Sequence, residues 1–359
     1  MKDVKIDPSP LSVFRFLGVA TITLIHYSTN TGKLYSLFSS TAIGDAIIGF
    51  FYVLSGFGLF LTYHKQGTIN LRRYFIKRTI RILPFYYMAL FMMALILTVS
   101  GHFSFTGFFL SFFCIQTWFP NYQHTMNSPA WFVANLMFFY CIFPLIFSGI
   151  KKGTPDPGKL IFGSVLLWIF TLIILNILLS VYPETYSSFI ETFPLAHFCS
   201  FYLGICGAYY VKANEIKNHL ISNIKSPWYT AFLFLLFFLV ALTLYHQGET
   251  IGFLKIKPFG VGMTLYSPLV LLMIINLSTA RNYVIKIFSL RFFCLLGTIS
   301  YPLYIFQKPV YGIYDYFIAK QIKMSPGAEF IFFLALFMVI ASVLTIMEKY
   351  TLKSVFKTT

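Results

Sequence analysis

Charge is scarce in this sequence: 11% of its 359 residues are charged and 58% are hydrophobic, whereas soluble domains carry about 25% charged and roughly 45–50% apolar residues. That shortage excludes an ordinary soluble domain and makes a bilayer the expected solvent. Long polar stretches are missing as well, since apolar segments recur from Ser9 to about Ile346. No Gly/Ser-rich or Pro-rich linker and no repeat of fixed period divides them, so one membrane-embedded domain over residues 1–359 with short tails is expected. Cysteines are few, and Cys114, Cys141, Cys199, Cys206 and Cys294 lie inside apolar runs without CxxC or Cys/His spacing. A disulfide framework and a bound metal are therefore not expected, and the thiols read as small hydrophobes. There is no GxSxG elbow and no compact basic domain of the kind that binds nucleic acid.

What is present is a series of apolar runs. A helix that crosses about 30 Å of hydrocarbon needs roughly 20 residues, and such runs lie near 9–28, 43–63, 82–100, 130–148, 159–181, 189–211, 228–246, 259–278, 292–312 and 327–346. The fold class expected is all-α, a polytopic bundle of about ten transmembrane helices. The 104–119 stretch is too short and too interrupted to span and reads as interfacial or re-entrant. The first run follows a short polar tail, has no small-residue cleavage site and contains Arg15, so a retained helix is expected rather than a removed leader.

Lys and Arg alternate between successive connections. Twenty fall on one side, including Lys65, Arg72, Arg73, Lys77, Arg78, Arg81, Lys151, Lys152 and Lys217, and five on the other: Lys33, Lys255, Lys257, Lys320 and Lys323. The positive-inside rule puts the rich side and both termini in the cytoplasm. The 101–129 connection, with no Lys or Arg, then faces outward. Most of the formal charge of +16 is accounted for by orientation.

Ionisable groups within spans are costly, roughly 2.5–3.5 kcal/mol each on insertion scales, and each is a candidate for function. Arg15 and His26 stand eleven residues apart in the first run, which returns them to nearly the same helix face about 16 Å apart along the axis. The plainer account is that Arg15 snorkels to headgroups and His26 sits at the outer interface. His26 is the histidine near a span end that shares a face with an intramembrane cation, which makes it the candidate proton acceptor. Arg78 and Arg81, at i, i+3 beside the membrane, present two guanidiniums suited to phosphates; orientation and anionic lipid contact are the alternative. Arg15 suits either a phosphate or a developing oxyanion. Ser55 before Gly56 reads first as a small helix-packing pair. Trp131, Tyr140, Tyr301 and Tyr304 read as packing or interface aromatics, while Asn135 and Gln307 are span amides in need of partners. Lys308 lies mid-span and is expected to line a wet cavity or meet one of the span carboxylates Asp45, Glu191 and Glu329.

The ordered set of Arg15 and His26, Phe50-Phe51-Tyr52-Val53-Leu54-Ser55-Gly56-Phe57, Arg78 and Arg81, Trp131 to Tyr140 with Pro144, and Gly297-Thr298-Ile299-Ser300-Tyr301-Pro302-Leu303-Tyr304-Ile305-Phe306-Gln307-Lys308-Pro309 resembles the acyltransferase 3 family of membrane acyltransferases. The resemblance implies a catalytic role for His26 with Arg15, donor binding by Arg78 and Arg81, and support from Ser55, Trp131, Asn135, Tyr140, Tyr301, Tyr304 and Gln307. The sequence departs from the family pattern at Leu136 and Met137, where many members are acidic, at Gly49, where many carry aspartate, and at Gln307, where a histidine is usual.

The implied activity is O-acylation at the cytoplasmic membrane. An acyl group, acetyl by expectation, passes from acyl-CoA as co-substrate, with no bound cofactor, to a carbohydrate or lipid-linked glycan. Glycan-assembly proteins are the expected further partners, because no appended esterase-like segment accompanies the membrane domain. Two alternatives stay open: a transporter exporting glycan or anionic solute, to which intramembrane Arg, His and Lys are equally suited, and a non-catalytic accessory protein in polysaccharide assembly.

Overall fold

The computed structural model describes residues 6–32, 41–182, 184–213, 226–246, 263–319 and 324–357. Fourteen α-helices follow one another among them: α1 (Leu11–Thr31), α2 (Thr41–Tyr63), α3 (Leu71–Val99), α4 (Phe105–Phe112), α5 (Ala130–Gly153), α6 (Pro157–Val181), α7 (Ser187–Thr192), α8 (Pro194–Ala213), α9 (Pro227–His246), α10 (Ser267–Thr279), α11 (Tyr283–Phe288), α12 (Arg291–Ile305), α13 (Gln307–Tyr314) and α14 (Pro326–Lys357). No strand occurs among the described residues. Seven helical stretches are long and apolar enough to cross a bilayer: α1, α2, α3, α5, α6, the α7–α8 pair and α14. The all-α polytopic class thus holds.

The other expected spans differ in form. Helix α9, of 20 residues, covers the expected run at 228–246, α10 covers 13 residues of a run that begins outside the described residues, and the run at 292–312 is two helices parted at Phe306. Of the lysines on which the expected orientation rests, Lys33, Lys217, Lys255, Lys257, Lys320 and Lys323 lie outside the described residues.

Helix α3 also starts earlier than hydropathy indicates. Asn70 caps it by accepting a 3.0 Å hydrogen bond from the Arg73 amide, and Arg and Lys are good helix formers, so the basic run 72–81 forms its first three turns rather than a loop before it. At about 1.5 Å per residue its 29 residues exceed what hydrocarbon requires, which leaves the basic turns beyond the apolar part.

The described residues gather into two compact units, both discontinuous in sequence. One comprises Met1–Val13, Ser40–Ile69 and Phe138–Cys294. Its tightest packing is between α2 and α8, where a Cβ on Gly56 would run into the Phe201 carbonyl and one on Gly204 into the Val53 carbonyl. This is the close approach that small residues permit between membrane helices. Rings fill the space beside it: Phe139 stacks on Phe201 at 4.9 Å and Tyr52 on His197 at 4.7 Å between centroids. Buried polar groups pair, as with Ser200 and Ser267 hydroxyls at 2.7 Å and the Trp168 indole N–H donating to the Thr264 carbonyl at 2.8 Å.

The other unit comprises Phe14–Ser39, Asn70–Met137 and Leu295–Thr359. Here the 104–119 stretch forms the eight-residue α4, capped by Ser104, and a 3-10 turn at Gln116–Trp118. It is tied to α3 by the Tyr86 hydroxyl donating to the Ser111 carbonyl at 2.7 Å and by the Tyr87 hydroxyl donating to the Phe112 carbonyl at 3.1 Å. Tyr27 of α1 sits against Phe330 and Phe333 of α14, both at 5.3 Å between centroids.

Candidate active site

The site is built around the break between α12 and α13. Proline lacks an amide hydrogen, and its ring collides with the carbonyl four residues earlier. Pro309 therefore cannot bond the Ile305 carbonyl. In a water-poor environment that carbonyl must find another donor, and the buried Asn127 amide supplies it at 2.8 Å. The Tyr304 hydroxyl, one residue earlier, donates to the Pro129 carbonyl at 2.8 Å. The break is thus fixed by two hydrogen bonds to the segment that leads into α5.

Gln307 is the first residue beyond the break and is 3% exposed, so both ends of its amide need partners. Its Nε2 donates to the Tyr304 carbonyl at 2.8 Å, and its Oε1 lies 2.9 Å from His26 Nδ1. The two contacts assign each other. The Tyr304 carbonyl only accepts, so the amide nitrogen must face it and the amide oxygen must face the histidine. An amide oxygen also only accepts, so Nδ1 of His26 carries the hydrogen. The neutral ring then has its lone pair on Nε2.

His26 lines a small open cleft together with Thr23, Tyr27, Asn30, Gln307, Lys308, Tyr311 and Phe333. Thr23, His26, Tyr27 and Asn30 share one face of α1 through their spacing of three and four residues. Lys308 Nζ donates to Asn30 Oδ1 at 3.2 Å. Lys308 and His124 both lie within electrostatic range of His26. Sequence reasoning overlooked Asn30, Tyr27 and His124. Asn30 had a readable signal, its position one turn after His26.

The remaining expected residues are placed as follows. Arg15 is half-buried, about three turns below His26 on α1, and does not line the cleft. Arg78 is half-buried, its guanidinium carbon 5.9 Å from the centre of the Tyr74 ring one turn earlier, and Arg81 is exposed on the same stretch of α3. Tyr301 donates its hydroxyl to the Ile82 carbonyl at 2.8 Å, which ties α12 to the turn of α3 that carries Arg81. Trp131 and Asn135 are buried in the first turns of α5. Tyr304 packs edge-on against Phe132 at 5.6 Å. Ser55 and Tyr140 belong to the unit that does not contain His26. Within that unit Gly49 is enforced, since a Cβ there would run into the Met263 carbonyl, which leaves no room for the aspartate of the family pattern.

Compared with known proteins, residues 11–347 match the acyltransferase 3 family model, described as an acyltransferase domain. No curated protein and no solved structure matches the chain.

Proposed function

Because the chain belongs to the acyltransferase 3 family, we propose that it is a membrane-bound O-acyltransferase that moves an acyl group, acetyl in the first instance, from cytoplasmic acyl-CoA to a hydroxyl of a carbohydrate or lipid-linked glycan. The observation that carries this reading is the His26–Gln307 pair, which holds Nδ1 as the donor and leaves Nε2 to accept a proton from a hydroxyl in the cleft. As that proton leaves, the hydroxyl oxygen attacks the thioester carbonyl. The tetrahedral adduct collapses, the C–S bond breaks, and the proton on His26 passes to the departing thiolate. The products are an ester and free CoA, and the imidazole returns to its starting tautomer.

Gln307 holds the ring while it is protonated but contributes no full negative charge. Arg78 and Arg81 are assigned to the phosphates of the donor on the cytoplasmic side, and Arg15 to either the donor phosphates or the developing oxyanion. The enzyme is assigned to the cytoplasmic membrane with both termini inside, where the excess of Lys and Arg on one set of connections supports the orientation.

Sealed inside-out vesicles should consume radiolabelled acetyl-CoA and label a glycan acceptor, while sealed right-side-out vesicles should not. Equal labelling by both would overturn the orientation, and no labelling by either would overturn the transferase reading. An export function is the second reading. It is favoured by the broken α12–α13 segment, because discontinuous membrane helices also build transport sites; labelled glycan appearing across the membrane without acetyl-CoA would support it.

A further inference from the structure

Lys308 poses a physical problem that general-base catalysis by His26 does not resolve. Its ammonium group is half-buried in the cleft wall, its hydrogen-bond partner is the neutral Asn30 oxygen at 3.2 Å, and no ion-pair partner for it occurs among the described residues. None of the residues that line the cleft is acidic. Lys308 also stands in the first turn of the eight-residue α13, which has no acid there. The first turn is the positive end of a helix, where a cation is disfavoured and an anion favoured. Intramembrane lysines are ordinarily paired with a carboxylate or aimed at a ligand. The cleft lining therefore combines an ammonium, a helix N-terminus and an imidazole, while the buried Glu329 acts on Tyr27 and Tyr311 from outside that lining and gives Lys308 no ion pair.

We propose that Lys308 and the first turn of α13 form an anion subsite beside His26, and that the acceptor is an anionic sugar whose carboxylate or phosphate docks there. The substrate class rests on the transferase reading, whereas the subsite itself does not. Anchoring the anion on Lys308 would set a neighbouring hydroxyl of the same sugar against Nε2 of His26, across a cleft that these two side chains share. Asn30, which now holds the ammonium, would remain as its second ligand and aim it. Such an arrangement selects an acceptor by charge before chemistry begins, because a neutral sugar leaves the ammonium without its counter-ion.

The test is binding without donor, so that a failure of acyl transfer leaves it readable. The purified chain in phosphatidylcholine nanodiscs is titrated at low salt with p-nitrophenyl glucuronide, its neutral counterpart p-nitrophenyl glucoside, and glucose 1-phosphate. One charge-assisted hydrogen bond corresponds to about a tenfold difference in Kd, so the glucuronide or the phosphate should bind about tenfold tighter than the glucoside. Tighter binding of the first assigns a carboxylate, and tighter binding of the second a phosphate. The preference should vanish in Lys308→Met and survive in Lys308→Arg. Circular dichroism and elution profile confirm the fold of each variant. Equal binding of charged and neutral sugars, absent binding of all three, or a preference that persists in Lys308→Met would overturn the proposal. A fourth arm replaces part of the lipid with phosphatidylglycerol. If that alone raises the thermal stability in a Lys308-dependent way while no sugar binds, the ammonium serves a lipid headgroup and the acceptor assignment is wrong.

Discussion

Nδ1 of His26 lies 2.9 Å from Oε1 of Gln307, a contact made across 281 residues of sequence that decides which ring nitrogen is free to take a proton. The position where the family pattern usually has a histidine is thus occupied by an amide whose orientation is dictated by the Tyr304 carbonyl.

His26→Ala should remove most acyl transfer, by the 10²–10⁴-fold typical of general-base assistance, while expression and acyl-CoA binding stay near wild type. His26→Gln should not rescue it, since an amide keeps a hydrogen bond but takes up no proton. His64→Ala is the control: its ring bonds the nearby Leu61 carbonyl, and little effect is expected. Radiolabelled acetyl transfer in membranes with matched protein levels measures all three, and near-normal transfer by a folded His26→Ala protein would refute the assignment.

Gln307 acts through His26 and is a positioning residue. Gln307→Leu frees the ring to rotate and change tautomer, and should lower kcat by about 10–100-fold, the usual cost of losing such a supporting contact. The KM for acceptor should stay unchanged. Gln307→His, which puts back the residue usual in the family pattern, should recover much of the rate. A fall in KM-dependent terms alone would show that Gln307 binds acceptor instead.

Asn127 and Pro309 maintain the break between α12 and α13. Asn127→Leu strands the Ile305 carbonyl in the interior and should cost about 1–3 kcal/mol of stability, read as a lower melting temperature in detergent. Pro309→Ala restores an amide that can bond that carbonyl. It should leave stability equal or higher and yet reduce activity, because a continuous helix carries Gln307 away from His26. Full activity in Pro309→Ala would mean that the break is not needed for the pair.

Arg81→Ala should raise the apparent KM for acyl-CoA, and Arg81→Lys should recover only part, since the planar fork of donors is lost. Steady-state kinetics at varied acyl-CoA concentration checks this. Unchanged donor dependence in both Arg78→Ala and Arg81→Ala at normal expression would leave the basic turns of α3 with orientation alone as their role.

Gly49→Asp reintroduces the carboxylate of the family pattern and should fail to accumulate in membranes. The first carbon of any side chain there meets the Met263 carbonyl, and backbone cannot yield as a flexible side chain would. Wild-type levels of an active Gly49→Asp protein would show that the close approach of the 263 segment is not required.

The sequence by itself determined what depends on local composition. Apolar runs of spanning length marked α1, α2, α5, α6, α8, α9 and α14, because a bilayer imposes its thickness on any helix that crosses it. The ordered motifs from Arg15 to Pro309 led to the family, and the spacing within α1 put His26 and Arg15 on one face. Only the tertiary structure decided the rest. A hydropathy run is blind to the break at Phe306, because Pro309 acts on a carbonyl four residues earlier and the break persists only where Asn127, 178 residues away in the chain, replaces the lost donor. For the same reason the pairing of His26 with Gln307, and the closeness of Lys308 to Asn30, were not legible in sequence. Hydrogen-bond partners inside a membrane are set by which helices meet, and a linear pattern of residues does not specify that meeting.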